Sequence, residues 1–136
     1  MRSEHKKHIK QMDGREQRTV ARLVERSLKL LTPTNLKVSG HARTQMLKRL
    51  GRVDTDILYD VIQNSHVVEY KQVWENGQMV DKRVVLRSNK EYDDEYNYCL
   101  VYSLNKRMVV TYWKNKVWYT HENVDLKQYH AGVLVY

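Results

Sequence analysis

The sequence predicts an α+β fold, in which helices are followed by a four- to five-stranded antiparallel sheet. Two observations carry this prediction. The first is the spacing of apolar residues, which recur every three to four positions up to residue 64 and every second position from residue 66. The second is that Asn76-Gly77 separates two alternating stretches, which is typical of a tight hairpin. The chain has 136 residues, enough for one domain with its own core.

The N-terminal third contains a helix with two different faces. Residues 1–14 are polar and basic, and we expect them to be frayed. Residues 15–31 place Val20, Leu23, Val24, Leu28 and Leu31 on an apolar stripe, and Arg15, Arg18, Arg22, Arg26 and Lys29 on a basic one. Pro33 ends this helix. We therefore interpret residues 1–35 as a basic N-terminal extension and residues 36–136 as the α+β domain.

A helix pair follows this extension. Residues 36–38 alternate and predict a short edge strand, after which Ser39 caps a helix over residues 40–50. Gly51 suits a left-handed position at the end of that helix. Asp54 or Thr55 caps the second helix, which ends at Asn64.

The first hairpin is centred on Asn76-Gly77. Pairing about this turn places Trp74 opposite Met79, Tyr70 opposite Arg83 and His66 opposite Arg87. Residues 88–97 are rich in carboxylates and predict an acidic loop.

The second hairpin spans residues 98–113 and turns at residues 105–106. Its expected register pairs Tyr102 with Val109, Leu100 with Thr111 and Tyr98 with Trp113. Tyr98, Tyr102 and Trp113 would then share one face of the sheet. The apolar end of the chain, residues 125–136, predicts a further edge strand.

The net charge of +8 is concentrated in the first third of the chain. Residues 1–52 hold 14 Lys and Arg against 4 Asp and Glu, whereas residues 53–136 hold 10 against 12. This imbalance favours an anionic partner such as RNA, with a soluble basic domain lacking such a partner as the alternative. One cysteine, no secretory signal and no long apolar run lead us to expect a cytoplasmic protein without a membrane partner.

The chemistry available to the chain is narrow. The sequence contains no P-loop, GxGxxG, HExxH or GxSxG motif, and we expect neither a metal nor a cofactor. Histidine, arginine, lysine and tyrosine around a sheet suit metal-independent RNA cleavage, in which a base takes the 2′-hydroxyl proton and cations hold the phosphate.

One short pattern resembles a known family. His41-Ala42, Met46 and Arg49-Leu50-Gly51, with the helix at residues 54–64 and the Val-Val-Glu-Tyr strand, resemble the HAxxRMxxRGI opening of small bacterial and phage domains related to BrnT and RelE toxins and to RegB. The resemblance spans about residues 36–115, and Gln45 occupies the family's first arginine position. It implies a RelE-like sheet and a toxin-type endoribonuclease.

The resemblance and the residue pattern together define the candidate site. The resemblance implies that His41 and Arg49 take part in catalysis. His41 lies in a first helical turn, where a neutral imidazole could act as a base, or it is simply a helix-start residue that packs on the sheet. Arg49 has a surface-charge alternative. Further candidates come from the pattern, namely Arg83 and Arg87 for the phosphate and His121 as a second acid.

RNA binding is assigned to two further groups of residues. The basic stripe of residues 15–31 would contact phosphates, and Tyr98 and Tyr102 would stack on bases, unless they are core residues. An alternative function is a non-catalytic phage or bacterial protein whose basic helix binds and inhibits a host protein. The partner would then be a protein, such as a host enzyme or an antitoxin.

Overall fold

The fold is built on one mixed sheet. A computed structural model describes residues 1–93, 95–117, 129, 134 and 136. Its elements are β1 (Arg2–His8), a 3-10 turn (Ile9–Gln11), α1 (Gly14–Lys29), β2 (Lys37–Val38), α2 (Gly40–Leu50), α3 (Thr55–Gln63), β3 (Ser65–Glu75), β4 (Gln78–Asp93), β5 (Tyr96–Ser103) and β6 (Met108–Lys116). No helix in these ranges is long and apolar enough to cross a membrane.

The α+β class is confirmed, but the predicted strand arrangement is wrong. The described strands form a six-stranded sheet in the order β1-β3-β4-β5-β6-β2. Neighbouring strands are antiparallel except β2 and β6, which are parallel. The parallel pair arises because Lys37 and Ser39 donate their backbone N–H groups to the carbonyls of Arg107 and Val109.

The three helices begin at side-chain caps. Asp13, Ser39 and Asp54 each accept a hydrogen bond from a backbone N–H in the first turn of α1, α2 and α3 respectively. Gly51 follows α2 with a φ of 76°, which a residue with a side chain rarely adopts. The helix pair and its boundaries are therefore confirmed.

The expectation that residues 1–14 are frayed is wrong. Residues 2–8 form β1, which pairs along its whole length with β3. The α1 residues Val20 and Val24 belong to the same buried cluster as sheet residues Tyr70 and Leu100. Residues 1–35 therefore form part of the single fold rather than an extension, because β1 is a strand of the sheet and the apolar side of α1 is buried in the core.

The sheet has two chemically different faces. The helix face carries the main core, including Tyr70, Val84 and Leu100 packed against the helices. Strand residues adjacent in sequence to these core residues point to the opposite side of the sheet, which we call the second face. There Val68, Val85 and Val101 form a smaller buried cluster with Val110 and Trp113 packed against it.

Single-residue bulges shift the register inside both hairpins. The predicted pairs Trp74–Met79 and His66–Arg87 are confirmed, but between them Tyr70 lies opposite Val84 rather than Arg83. The reason is a pair of compensating bulges, with Val80 as the extra residue in β4 and Val68 as the extra residue in β3.

The β5–β6 hairpin contains a bulge of the same kind. The pair Tyr102–Val109 is confirmed, whereas Val110 is an extra residue in β6 and moves every later pair by one position. Tyr98 therefore lies opposite Lys114, and Trp113 lies opposite Cys99 on the second face. The expected sharing of one face by Tyr98, Tyr102 and Trp113 is wrong for this reason.

The predicted acidic loop over residues 88–97 is also wrong. Most of this segment extends β4 to Asp93 and begins β5 at Tyr96. The strands remain paired across a larger bulge at residues 88–90. The predicted edge strand over residues 125–136 lies largely outside the described residues, although Leu134 and Tyr136 contact the main core.

Candidate nucleic-acid interface

One face of α1 carries a row of cations, with the exposed Glu25 beside Arg22 and Lys29. We call Arg15, Arg18, Arg22, Arg26 and Lys29 the basic face; all five are exposed. They extend over 15 residues, or about 21 Å from the first to the last. Within the part of the chain that the structure describes, none of the five forms an ion pair. Their charges are therefore available to a ligand.

The opposite side of α1 fixes this face in place. Val20 and Val24 are buried in the core, and the Ser27 hydroxyl donates a 3.0 Å hydrogen bond to the Leu104 carbonyl. Near the start of the helix, Lys7 Nζ lies 3.0 Å from both carboxylate oxygens of Glu16. Because Glu16 is engaged by Lys7, its negative charge is directed away from the basic face.

Two depressions border the first half of α1. One, of about 440 Å³, is lined by residues that include Gln17, Arg18 and Ala21. The other, of about 530 Å³, is lined by residues that include Arg15 and Thr19 but also the carboxylates of Asp13 and Glu16. No sequence pattern marks Gln17, Ala21 or Thr19, because their residue types carry no signal and only the docking of the helix creates these depressions.

The predicted catalytic residues do not converge. His41 and Arg49 are both exposed on α2, at opposite ends of that 11-residue helix. Arg83 and Arg87 alternate with Val84 and Leu86 of the main core, so they point to the second face. The expected single site built from α2 and the sheet arginines is wrong, because the sheet itself separates them. His121 lies outside the described residues.

The two sheet arginines are already engaged by the protein. Arg83 donates from Nε to the buried Asp81 carboxylate at 2.7 Å. The Arg87 side chain is buried and donates to Asn97 Oδ1 and to the carbonyls of Lys116 and Val117. Both arginines therefore stabilise the sheet in this structure.

Tyr98 and Tyr102 are core residues. Their exposed fractions are 2% and 0%, so neither ring offers a free surface for base stacking. Tyr98 packs against Tyr92 at a centroid distance of 4.8 Å, and burial raises the pKa of Tyr102. The prediction that these rings stack on RNA bases is wrong, because the helices cover this face of the sheet.

A scan of protein-family models and searches of curated proteins and solved structures returned no match to this chain. The chemistry of the described surface therefore carries the functional argument. Its basic face can bind a polyanion along the helix axis.

Proposed function

We propose that this protein binds RNA through the basic face of α1. The observation that carries the proposal is a row of five exposed cations, without ion pairs among the described residues, on a helix whose other side is anchored in the core. Because the helix that carries these cations is already folded, its backbone loses little conformational freedom when a phosphate backbone binds. The depression beside Gln17 and Arg18, whose lining among the described residues contains no carboxylate, provides space for a sugar or a base beside the phosphates.

The proposed function is binding rather than cleavage by the residues first predicted. His41 and Arg49 are separated from Arg83 and Arg87 by the sheet, whereas the five cations of the basic face lie together on one helix. The RelE-like identity of the fold and a cytoplasmic location remain part of this proposal. Helices packed on one face of the sheet support the RelE-like identity. The single cysteine, which is buried and free, supports the cytoplasmic location.

A charge-neutralised variant tests the proposal. We expect Arg18→Gln/Arg22→Gln/Arg26→Gln to weaken binding of single-stranded RNA at least about tenfold, because three phosphate contacts are lost. The slope of log affinity against log salt, about −3.5 for five contacts, should become shallower by about 2. Fluorescence anisotropy at several salt concentrations measures both quantities.

A matched control separates position from total charge. The variant Arg2→Gln/Arg52→Gln/Lys116→Gln removes three cations from other exposed positions and has the same net charge. It should retain the affinity and the salt slope of the unmodified protein. Equal weakening in the two variants would show that only net charge matters, and would contradict a binding face on α1. Stronger binding to duplex DNA than to RNA would contradict the choice of ligand.

The alternative is an acidic protein partner bound to the same helix. The observation in its favour is Leu30, which is 63% exposed directly after α1. A large apolar side chain beside cations is typical of a protein interface. Leu30→Ser should leave RNA affinity unchanged if RNA is the ligand, whereas a protein partner would lose affinity.

A further inference from the structure

A second polar site lies on the second face, away from α1. It is a cleft of about 320 Å³ where β3 begins and β4 meets β5, and its lining includes His66, Arg87, Asn89, Glu91 and Asn97. Its volume falls at the small end of the range for ligand sites. None of these residues belongs to the basic face.

The floor of the cleft is a rigid bulge at residues 88–90. Ser88 Oγ accepts a 3.0 Å hydrogen bond from the Tyr98 N–H and donates a 2.7 Å bond to the Lys90 carbonyl. Asn97 Nδ2 donates to the carbonyls of Ser88 and Lys90, both at 3.2 Å. The Asn89 N–H donates to the Asn64 carbonyl at 2.7 Å. These bonds fix the backbone that presents the cleft residues.

A buried cation forms part of the wall. The Arg87 residue is 5% exposed, and its Nη2 lies 2.8 Å from Asn97 Oδ1. Asn97 thus orients the guanidinium and also holds the bulge. Because the surroundings of Arg87 are poor in water, its positive charge acts on the cleft with less screening than a surface charge would.

His66 is held in a defined orientation. Its Nδ1 lies 2.8 Å from Asn89 Oδ1, and an amide oxygen only accepts hydrogen bonds, so Nδ1 carries the hydrogen. In the imidazolium form, Nε2–H is then left for an anion, as is the Asn89 amide nitrogen. Both side chains are exposed, so a ligand reaches them from solvent.

We propose that this cleft binds a phosphate group, as inorganic phosphate or as a phosphate monoester. In its imidazolium form His66 donates from Nε2, Asn89 donates from Nδ2, and Arg87 supplies positive charge from the wall. Glu91, exposed at the rim, repels the same ligand and keeps the affinity moderate. The site is distinct from the basic face, so it does not depend on RNA binding by α1.

Titration of the full-length protein with inorganic phosphate, followed by NMR, tests the site. We expect saturable shifts of the backbone amides of residues 88–91. His66→Gln and Asn89→Ala should each weaken phosphate binding about tenfold, because each loses a hydrogen bond to a charged ligand. Glu91→Gln should tighten it, because a like charge is removed. Gln63→Ala, an exposed change on α3, is the control and should have no effect.

A second titration, with adenosine monophosphate, identifies the source of the phosphate. Tighter binding than that of inorganic phosphate indicates a nucleotide, and equal binding indicates recognition of the phosphate alone. Non-saturating shifts with both probes, equal affinities in all variants, or weaker phosphate binding by Glu91→Gln would overturn the proposal. RNA with a 5′-hydroxyl should bind the cleft variants normally, so a failure of this site is distinguishable from a failure of the basic face.

Discussion

Individual buried charges explain why the N-terminus is ordered. Lys7 lies on a strand of charged residues, yet its side chain is only 8% exposed and pairs with Glu16, which is 11% exposed. The Tyr136 hydroxyl also donates to Glu16, at 3.2 Å. This cluster joins β1, α1 and the end of the chain through interactions that are distant in sequence. The sequence of residues 1–14 is polar and shows no sign of these contacts, so it predicts fraying.

Removing one member of this ion pair should be costly. We expect Glu16→Ala to lower the free energy of unfolding by about 3 kcal/mol, because Lys7 is left as an uncompensated buried charge. The double variant Lys7→Met/Glu16→Leu should recover most of this loss, since neither charge remains. Urea unfolding followed by circular dichroism measures both. A double variant as unstable as Glu16→Ala would contradict the role of charge burial.

Tyrosine takes the place of phenylalanine in this core. The chain has ten tyrosines and no phenylalanine, and the hydroxyls of the buried Tyr70 and Tyr102 have hydrogen-bond partners. Tyr102 Oη lies 3.4 Å from Ser27 Oγ, and Tyr70 Oη accepts from Gln72 Nε2 at 3.3 Å. Each ring thus fills core volume, and the Tyr102 hydroxyl also joins β5 to α1, whereas the Tyr70 hydroxyl bonds within β3. Composition alone did not reveal this role, because a tyrosine is equally suited to a surface for stacking.

At the scale of the element, periodicity located helices better than it located strand faces. In α1 the apolar residues follow a helical spacing over the whole element, so its buried side could be predicted, and Val20 and Val24 are buried as expected. A strand pattern reverses its faces at each bulge, and the extra residues here are valines that fit a strand at every position. The sequence therefore contains no signal that marks Val68, Val80 or Val110 as bulged.

The bulge at residues 88–90 leads to a prediction about Asn97. We expect Asn97→Ala to reduce the free energy of unfolding by about 3 kcal/mol, because Arg87 loses an acceptor and two carbonyls lose a donor. Asn105→Ala, an exposed change in the β5–β6 turn, should cost about 1 kcal/mol or less. Equal losses in the two variants, measured by urea unfolding, would show that the Asn97 side chain does not stabilise the bulge.

For the molecule as a whole, the sheet divides the predicted functions. Its helix face builds the core and supports the basic face of α1, whereas the second face carries the phosphate cleft. Residues assigned to one catalytic site by sequence are therefore distributed over two surfaces.

The tyrosine core makes global stability sensitive to alkaline pH. Burial raises the pKa values of Tyr70 and Tyr102 above the ordinary value of about 10, and both are 0% exposed. The unfolded chain releases these protons above pH 10 and the native state does not. The stability that they contribute is thus complete below about pH 10 and is lost as the pH rises towards the folded pKa values, at about 1.4 kcal/mol per pH unit for each tyrosine.

Urea unfolding between pH 8 and pH 12 measures this effect, with tyrosinate absorbance at 295 nm as a second signal. The variant Tyr102→Phe should show a shallower loss of stability, because one titrating group is removed. Ionisation of all tyrosines near pH 10 while the native circular dichroism persists would contradict the prediction.

The sequence by itself determined the α+β class, the boundaries of the helix pair, both hairpin turns and the basic stripe of α1. These features depend on local capping, turn chemistry and side-chain periodicity, which act over a few residues. Only the tertiary structure decided that residues 1–35 belong to the core, that Tyr98 and Tyr102 are buried, and that His66 with Asn89 faces the same cleft as Arg87. Those outcomes depend on bulges, long-range pairing and buried ion pairs, whose energies arise between residues far apart in the chain.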